Sequence, residues 1–400
     1  MVILWYGVVP IAGALLKRYK WHLFRRRFDE LRLSPMLDYS HYCRPPEDHK
    51  GEGKTFRFTG GFESVTDGQT LWIRSEDLTV PVSLQNAETY LLPTQKGAPF
   101  GKGKRQSIPE MFDPGDEAPE KIRWDRVSTL TEGAKVFVGG LLLCRDGQWS
   151  FVSTKEKPLI VIFYDGPDDS LTIRTIRAGR RRGEYWNAIT PYALVIGAIS
   201  QIFMAMLFLP RPAFRLTVMV AIIALFVPLY PMIPPGLLFT VVYRRLAWRA
   251  RILRAYRDLA RLPLRYLPSS KDKAHSLPAS NLPDRQPVCL LPDGELYGFI
   301  RYAELPPQAQ DGKLPLLLPE FASVNAGELW HIFGVLRPGE ELPSQPEDPC
   351  ATFGILPGDP ETLAHRFEIP AYILEFAAWL ILFAGIGLNI FFLRMVLFLL

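Results

Sequence analysis

Apolar positions fall along this chain in two textures, long unbroken runs and short periodic stretches. The unbroken runs lie at residues 1–16 (MVILWYGVVPIAGALL), 190–210, 216–242 and 369–400. A bilayer crossing takes ~20 apolar residues at a rise of ~1.5 Å each, so the last three are long enough and the first is marginal. The pattern predicts four transmembrane helices over these ranges.

Two stretches that follow apolar runs have helical periodicity. In residues 17–35, Phe24, Phe28, Leu31 and Pro35 have the spacing of Ile252, Tyr256, Leu259 and Pro263 in residues 244–263. An i, i+4, i+7 apolar stripe with arginines on the other faces makes an amphipathic helix, and proline stops it. The remaining polar stretches have strand periodicity. "TFRFTGGFES", "QTLWIRS", "VPVSLQ", "AKVFVGGLLL" and "PLIVIFYDG" are short alternating runs rich in β-branched and aromatic residues. Five such strands suit a small barrel of the oligonucleotide-binding (OB) type over residues 50–178. Residues 284–366, with "ELYGFIRYAEL", "KLPLLLPE", "ELWHIFGVL" and "CATFGIL", predict a shorter version of the same plan.

One strand pair is written twice. "TEGAKVFVGGLLLCRDG" (131–147) and "NAGELWHIFGVLRPG" (325–339) align Gly133, Val136, Val138 and Gly140 with Gly327, Trp330, Ile332 and Gly334. With the recurring order of apolar run, basic helix, polar domain and apolar run, this predicts an internal duplication. Gly140 and Gly334 read as structural bends. The fold class expected is therefore a multi-domain membrane protein, with four transmembrane helices and two small all-β OB-like barrel domains. Residues 93–120 and 267–287, rich in Pro, Gly and charge, read as long loops interrupting the barrels.

Charge sharpens the topology. The net charge is only +5, but the basic residues gather beside the apolar runs. Lys17, Arg18, Lys20 and Arg25, Arg26, Arg27 follow the first run, the reverse of a secretory signal. Arg180, Arg181 and Arg182 precede the second, and Arg251 and Arg254 follow the third. Flanks of this kind belong on the cytoplasmic side, which predicts an integral protein of the plasma (inner) membrane with both β domains in the cytoplasm. Arg25, Arg26, Arg27, Arg180, Arg181, Arg182, Arg251 and Arg254 form the candidate membrane-surface basic patch, each worth ~1 kcal/mol against anionic lipid. Cys43, Cys144, Cys289 and Cys350 have no paired spacing, and a reducing compartment argues against disulfides.

Searches for chemistry give near misses. "GAPFGKGK" (97–104) resembles a phosphate loop but lacks one spacer residue and the Ser or Thr after Gly-Lys. His41, Cys43, Asp48 and His49 are ligand types for zinc, yet they stand in a proline-broken stretch without a counterpart in the second half. Lys54, Arg57 and Arg301 lie beside aromatics on strands, the arrangement with which OB barrels stack single-stranded bases, although alternating aromatics more often fill a core. Inside the apolar runs, Gln201, Glu375, Asn389 and Arg394 are too few and too peripheral for an ion pathway, and Gly385 and Gly387 permit close helix approach.

The stretch "EGAKVFVGGLLLCRDGQWSFVSTKEKPLIVIFYDG" followed by "YWNAITPYALVIGAI" resembles the end of the GIDE-type domain of membrane-anchored ubiquitin ligases. The resemblance covers roughly residues 1–210 and, more faintly, 216–400. It implies a β domain held at a membrane between two spans. It does not imply ligase activity, because the cysteine- and histidine-rich RING module of that family has no counterpart in this chain. The function expected is a non-enzymatic membrane scaffold, without cofactor or metal, that presents two β domains to a membrane-associated protein. Membrane lipid is a second partner, and self-association stays open. A transporter, or a membrane-tethered binder of single-stranded nucleic acid, is the alternative.

Overall fold

The computed structural model describes residues 4–42, 53–75, 78–92, 119–123, 127, 134–145, 148–165, 169–178, 187–225, 236–263, 285–291, 295–304, 314, 317, 329–348 and 350–399. The chain divides into two units. One holds Met1–His22, Gly179–Arg257 and His365–Leu400; the other holds Leu23–Ala178 and Asp258–Ala364.

The second unit is the β unit. Strand β1 (Lys54–Thr66) turns back into β2 (Thr70–Ser75) through Asp67 and Gly68, both at positive φ (54° and 64°). The Gln69 amide donates to the Thr66 carbonyl at 3.2 Å, and positive φ at both central residues of this turn, which Asp-Gly supplies cheaply, matches the twist of antiparallel strands. β2 pairs antiparallel with β3 (Leu78–Ser83), and β3 runs parallel to β7 (Gln148–Val152). β7 in turn pairs with β6 (Lys135–Arg145), and β6 returns to β1. The first half of β1 pairs with β6 and the second half with β2, so β1, β2, β3, β7 and β6 close a ring. The close approach is at Gly60, where a Cβ would lie 2.5 Å from the Arg74 carbonyl oxygen. Phe58, Phe62, Leu71, Ile73, Val80, Val82, Val136, Val138 and Phe151 fill the interior.

Beyond the ring the sheet continues. β8 (Ile160–Tyr164) pairs with β6 and runs parallel to β4 (Glu88–Leu91), which carries β5 (Glu120–Lys121) at the edge. All five residues of β8 are buried: Val161 and Phe163 join the ring's core, while Ile160 and Ile162 are also fully covered. Helix α1 (Val9–Arg32) contributes its second part here: Phe24 meets the Tyr90 ring at 4.5 Å and Phe28 meets Phe137 at 5.2 Å. Leu31 occupies the space that a side chain at Gly139 would take, so the i, i+4, i+7 stripe read from sequence is the packed face. A short helix α2 (Tyr39–Tyr42) follows, and α3 (Asp169–Arg177) closes this half of the unit.

The other sheet is an antiparallel meander of β9 (Arg285–Leu290), β10 (Leu296–Tyr302), β11 (Trp330–Val335) and β12 (Gly354–Pro357). β11 is buried along its whole length, with Trp330 and Ile332 packed on Leu314 and Ile355. After β11 the chain turns at Arg337–Glu340, where Gly339 has φ 91° and the Glu340 amide donates to the Arg337 carbonyl. Proline followed by a positive-φ glycine is the type II turn.

The helical unit contains the start of α1, preceded by a π turn at Leu4–Val8, with α4 (Thr190–Phe208), α5 (Arg215–Leu225), most of α6 (Gly236–Ala260) and most of α7 (Pro360–Leu399). Gly197 of α4 lies against Tyr6, and Asn187 donates to the Pro10 carbonyl at 2.9 Å beside Gly13. α6 and α7 run antiparallel, since Phe239 sits over Gly385, Tyr243 near Trp379 at 6.0 Å, and Tyr256 near Phe367 at 5.7 Å. Gly385 does provide the close approach expected of it; a Cβ at Gly387 would meet nothing.

The architecture corrects the sequence expectation. Among the described residues, two helices rather than four are long and apolar enough to cross a membrane, Thr190–Phe208 and Pro360–Asn389. The run at 1–16 is not a separate element, because its helix continues through Lys17 and Arg18 to Arg32 as one amphipathic rod. In the run at 216–242, α5 has 11 residues, a length of ~16 Å. α6 turns basic at Arg244 after a short apolar start. For the same reason the basic stretches 17–35 and 244–263 are continuations of α1 and α6, not helices of their own. Among the described residues one closed ring of strands belongs to a larger mixed sheet, and the other sheet is an open meander rather than a second barrel.

Candidate functional site

Three places carry concentrated charge or chemistry. The first is a buried polar cluster inside the β unit. Arg57, on β1 with its neighbour Phe58 turned into the core, extends from the opposite face of the strand. Its guanidinium makes a two-pronged ion pair with Asp348, and each side chain is only 1% exposed. Arg57 Nε donates to the Ser34 carbonyl at 2.7 Å, and Asp348 also accepts the Cys350 amide at 2.8 Å. Arg32, fully buried, lies 3.4 Å from Asp29. Burial, reinforced by the Asp348 carboxylate, pushes the Cys350 thiol up to about 12 and keeps it un-ionised. The pair joins residues 291 apart in sequence, Arg57 on β1 and Asp348 in the connection between β11 and β12.

This cluster corrects the reading of Arg57 as a base-stacking cation. Its charge is spent on Asp348, and Phe58 is core. Arg301 is exposed and lies over the Phe299 ring at 5.4 Å, so its stacking surface meets this chain's own aromatic. Lys54 is exposed at the start of β1.

A second cluster lies in the helical unit. Glu375 of α7 accepts Arg18 of α1 at 3.2 Å through Oε1 and pairs through Oε2 with Arg254 of α6, whose guanidinium stands 5.7 Å from the Tyr372 ring. One carboxylate thus holds guanidiniums from two other helices. Arg257 pairs with Glu368 at 3.1 Å one layer on. By sequence Glu375 is a peripheral polar residue of an apolar run; its partners are remote in sequence and only the helix packing brings them to it. Gln201 and Asn389 are buried, and Arg394 is exposed.

The third is the predicted basic patch, whose members have separate fates. Arg25 donates to the Ala178 carbonyl at 2.6 Å, Arg26 pairs with Glu30 at 3.0 Å, and Arg27 pairs with Glu88 at 3.1 Å, all within the β unit. Glu88 also takes Lys121 at 3.3 Å and the Tyr90 hydroxyl, and burial together with that carboxylate raises the Tyr90 phenol. Arg251 and Arg254 belong to the helical unit. Arg180, Arg181 and Arg182 lie outside the described residues, as do Cys43, Asp48 and His49 of the candidate metal set and the phosphate-loop-like stretch. His41 is on α2. Comparison of the chain with protein families, with characterised proteins and with solved structures found no match to any of them.

Proposed function

We propose that this protein is a membrane scaffold whose β unit is a single partner-binding module held at the cytoplasmic face of the plasma (inner) membrane, an arrangement that requires the chain leaving through α4 to recross to that face before Asp258. The observation that carries the reading is the buried Arg57–Asp348 pair. It ties strand β1, from the first half of the chain, to the β11–β12 connection, from the second half, inside one unit. Between and beyond these two segments the chain runs into α4 and α7, whose mid-helix apolar side chains are open: Ile199 61%, Phe203 65% and Phe376 72% exposed. A water-soluble helix would cover such surface, whereas a bilayer solvates it. Arg174 and Arg177 before α4, and Arg366 before the apolar part of α7, support the cytoplasmic orientation. The resemblance to the GIDE-type domain supports the same picture of a tethered β domain. Tethering raises the module's effective concentration for other membrane-associated proteins.

The β1–β2 hairpin is the contact surface favoured by this reading, because Glu63, Ser64, Asp67, Gln69 and Arg74 are all exposed there. A photo-crosslinking residue at Glu63 in the full-length protein, in its own membranes, is expected to give a discrete adduct with a membrane-associated protein. The same probe at exposed Glu156 serves as the reference. Equal adducts from both positions, or none from Glu63, would remove the hairpin and with it the scaffold reading.

A further inference from the structure

We propose that the helical unit carries a binding surface for anionic phospholipid headgroups, built from exposed cations of α1 and α6 around the Arg18–Glu375–Arg254 cluster. The inference rests on the membrane reading above and names the lipid chemistry that the unit would select.

The antiparallel contacts between α6 and α7 fix the level of each charge. Tyr243 stands beside Trp379 and Tyr256 beside Phe367, so Glu375 is level with the stretch of α6 between those two tyrosines. That stretch contains Arg244, Arg245 and Arg249, all exposed, and Arg254. Through Arg18, α1 is brought to the same level, with Lys20 exposed beside it. The acids of this unit among the described residues are Glu368, opposite Arg257, and Glu375, shared between Arg18 and Arg254. The surface at this level is therefore strongly positive.

The apolar neighbours say why the ligand is a lipid rather than a free anion. Val241 is exposed one turn before Arg245, and Leu16 is exposed one turn before Lys20. At i, i+4 spacing each pair shares a helix face. A ligand covering both must offer a negative group and hydrocarbon at adjacent heights, which is what a phospholipid monolayer does. Tyr19, Trp248 and Tyr372 are exposed at this level, and rings with one apolar and one polar end favour the headgroup boundary. Glu375 would hold Arg18 and Arg254 in place, while the exposed Lys20, Arg244, Arg245 and Arg249 present positive charge to a phosphate.

The test is lipid retention by the purified full-length protein reconstituted into phosphatidylcholine vesicles with and without phosphatidylglycerol. On re-solubilisation the protein should retain phosphatidylglycerol in preference to phosphatidylcholine. Replacing Arg244, Arg245 and Arg249 by Gln together should reduce that enrichment by about fivefold per residue, the equivalent of ~1 kcal/mol each at a charged membrane surface. Arg211→Gln, an exposed change at the far end of α4, should leave it intact. Equal retention of both lipids, an Arg211→Gln loss as large as that of the triple variant, or displacement by inorganic phosphate at matched ionic strength would each overturn the proposal. Stable incorporation into phosphatidylcholine alone with no preference would sink only the headgroup surface. Failure to enter any vesicle would sink the membrane reading beneath it.

Discussion

His331 shows how a residue's meaning depends on its burial. On β11 it is enclosed between Phe299 and Phe333, with ring centroids at 5.5 and 6.4 Å. Burial, and to a lesser degree Arg301, lowers its pKa, while Asp359 and the Leu329 and Gly358 carbonyls oppose the shift without cancelling it. The folded state therefore holds the imidazole neutral. Below the unfolded value of ~6.5 the unfolded chain binds a proton that the folded chain refuses, so stability is complete above that pH and falls as the medium is acidified. His331→Phe keeps the ring and removes the titration. Thermal unfolding in detergent should show a smaller drop in Tm on acidification through ~6.5 in this variant than in the wild type; identical drops would mean that His331 is not the group responsible. Gly334, three residues on, was read as a bend, but its φ is not in the left-handed region. What requires glycine is room: a Cβ would lie 2.6 Å from the Ser344 carbonyl oxygen, across an antiparallel bridge from Val335. Gly140, aligned with it in sequence, instead makes room for Leu159, at 2.5 Å.

Among elements, a buried ion pair links β1 to the connection between β11 and β12. Removing one partner of a buried pair leaves an uncompensated charge, at a cost of ~3–5 kcal/mol. Arg57→Met should destabilise the β unit by about that amount, and Arg57→Met/Asp348→Asn should recover much of it, because the amide stays neutral and still accepts the Cys350 N–H. Cys350 supplies the readout, being fully buried and held protonated in the folded state. Alkylation of this thiol should be fast in Arg57→Met and slow in both the wild type and the double variant. Equally slow alkylation in all three would show that β1 and that connection stay joined without the pair.

On the scale of the whole molecule, α4 and α7 are the two described helices long and apolar enough to cross a membrane. α4 has 19 residues, a length of ~28 Å, close to the ~30 Å of a hydrocarbon core. Ile199 is at its midpoint and exposed, so Ile199→Asp should raise the cost of insertion by ~3–4 kcal/mol. The fraction of protein resisting alkaline carbonate extraction should fall accordingly, while Arg26→Gln, exposed in the β unit, should leave it unchanged. Unaltered extraction of Ile199→Asp would mean that α4 does not face lipid.

The sequence by itself determined the elements whose signal is local. The stripe of Phe24, Phe28 and Leu31, the alternating strands and the unbroken apolar runs that become α4 and α7 are all patterns over neighbouring residues, set by backbone periodicity. Among the described residues two helices rather than four are long and apolar enough to cross a membrane, and hydropathy does not register where a helix runs on into charge, as α1 does. Only the tertiary structure decided the rest. Arg57 and Asp348, or Arg18, Glu375 and Arg254, are distant along the chain, and each alone reads as an ordinary surface charge or a topology signal. Their partners are fixed by which strand faces which loop and by the register of antiparallel helices. That information resides in packing, which no local pattern of residues contains.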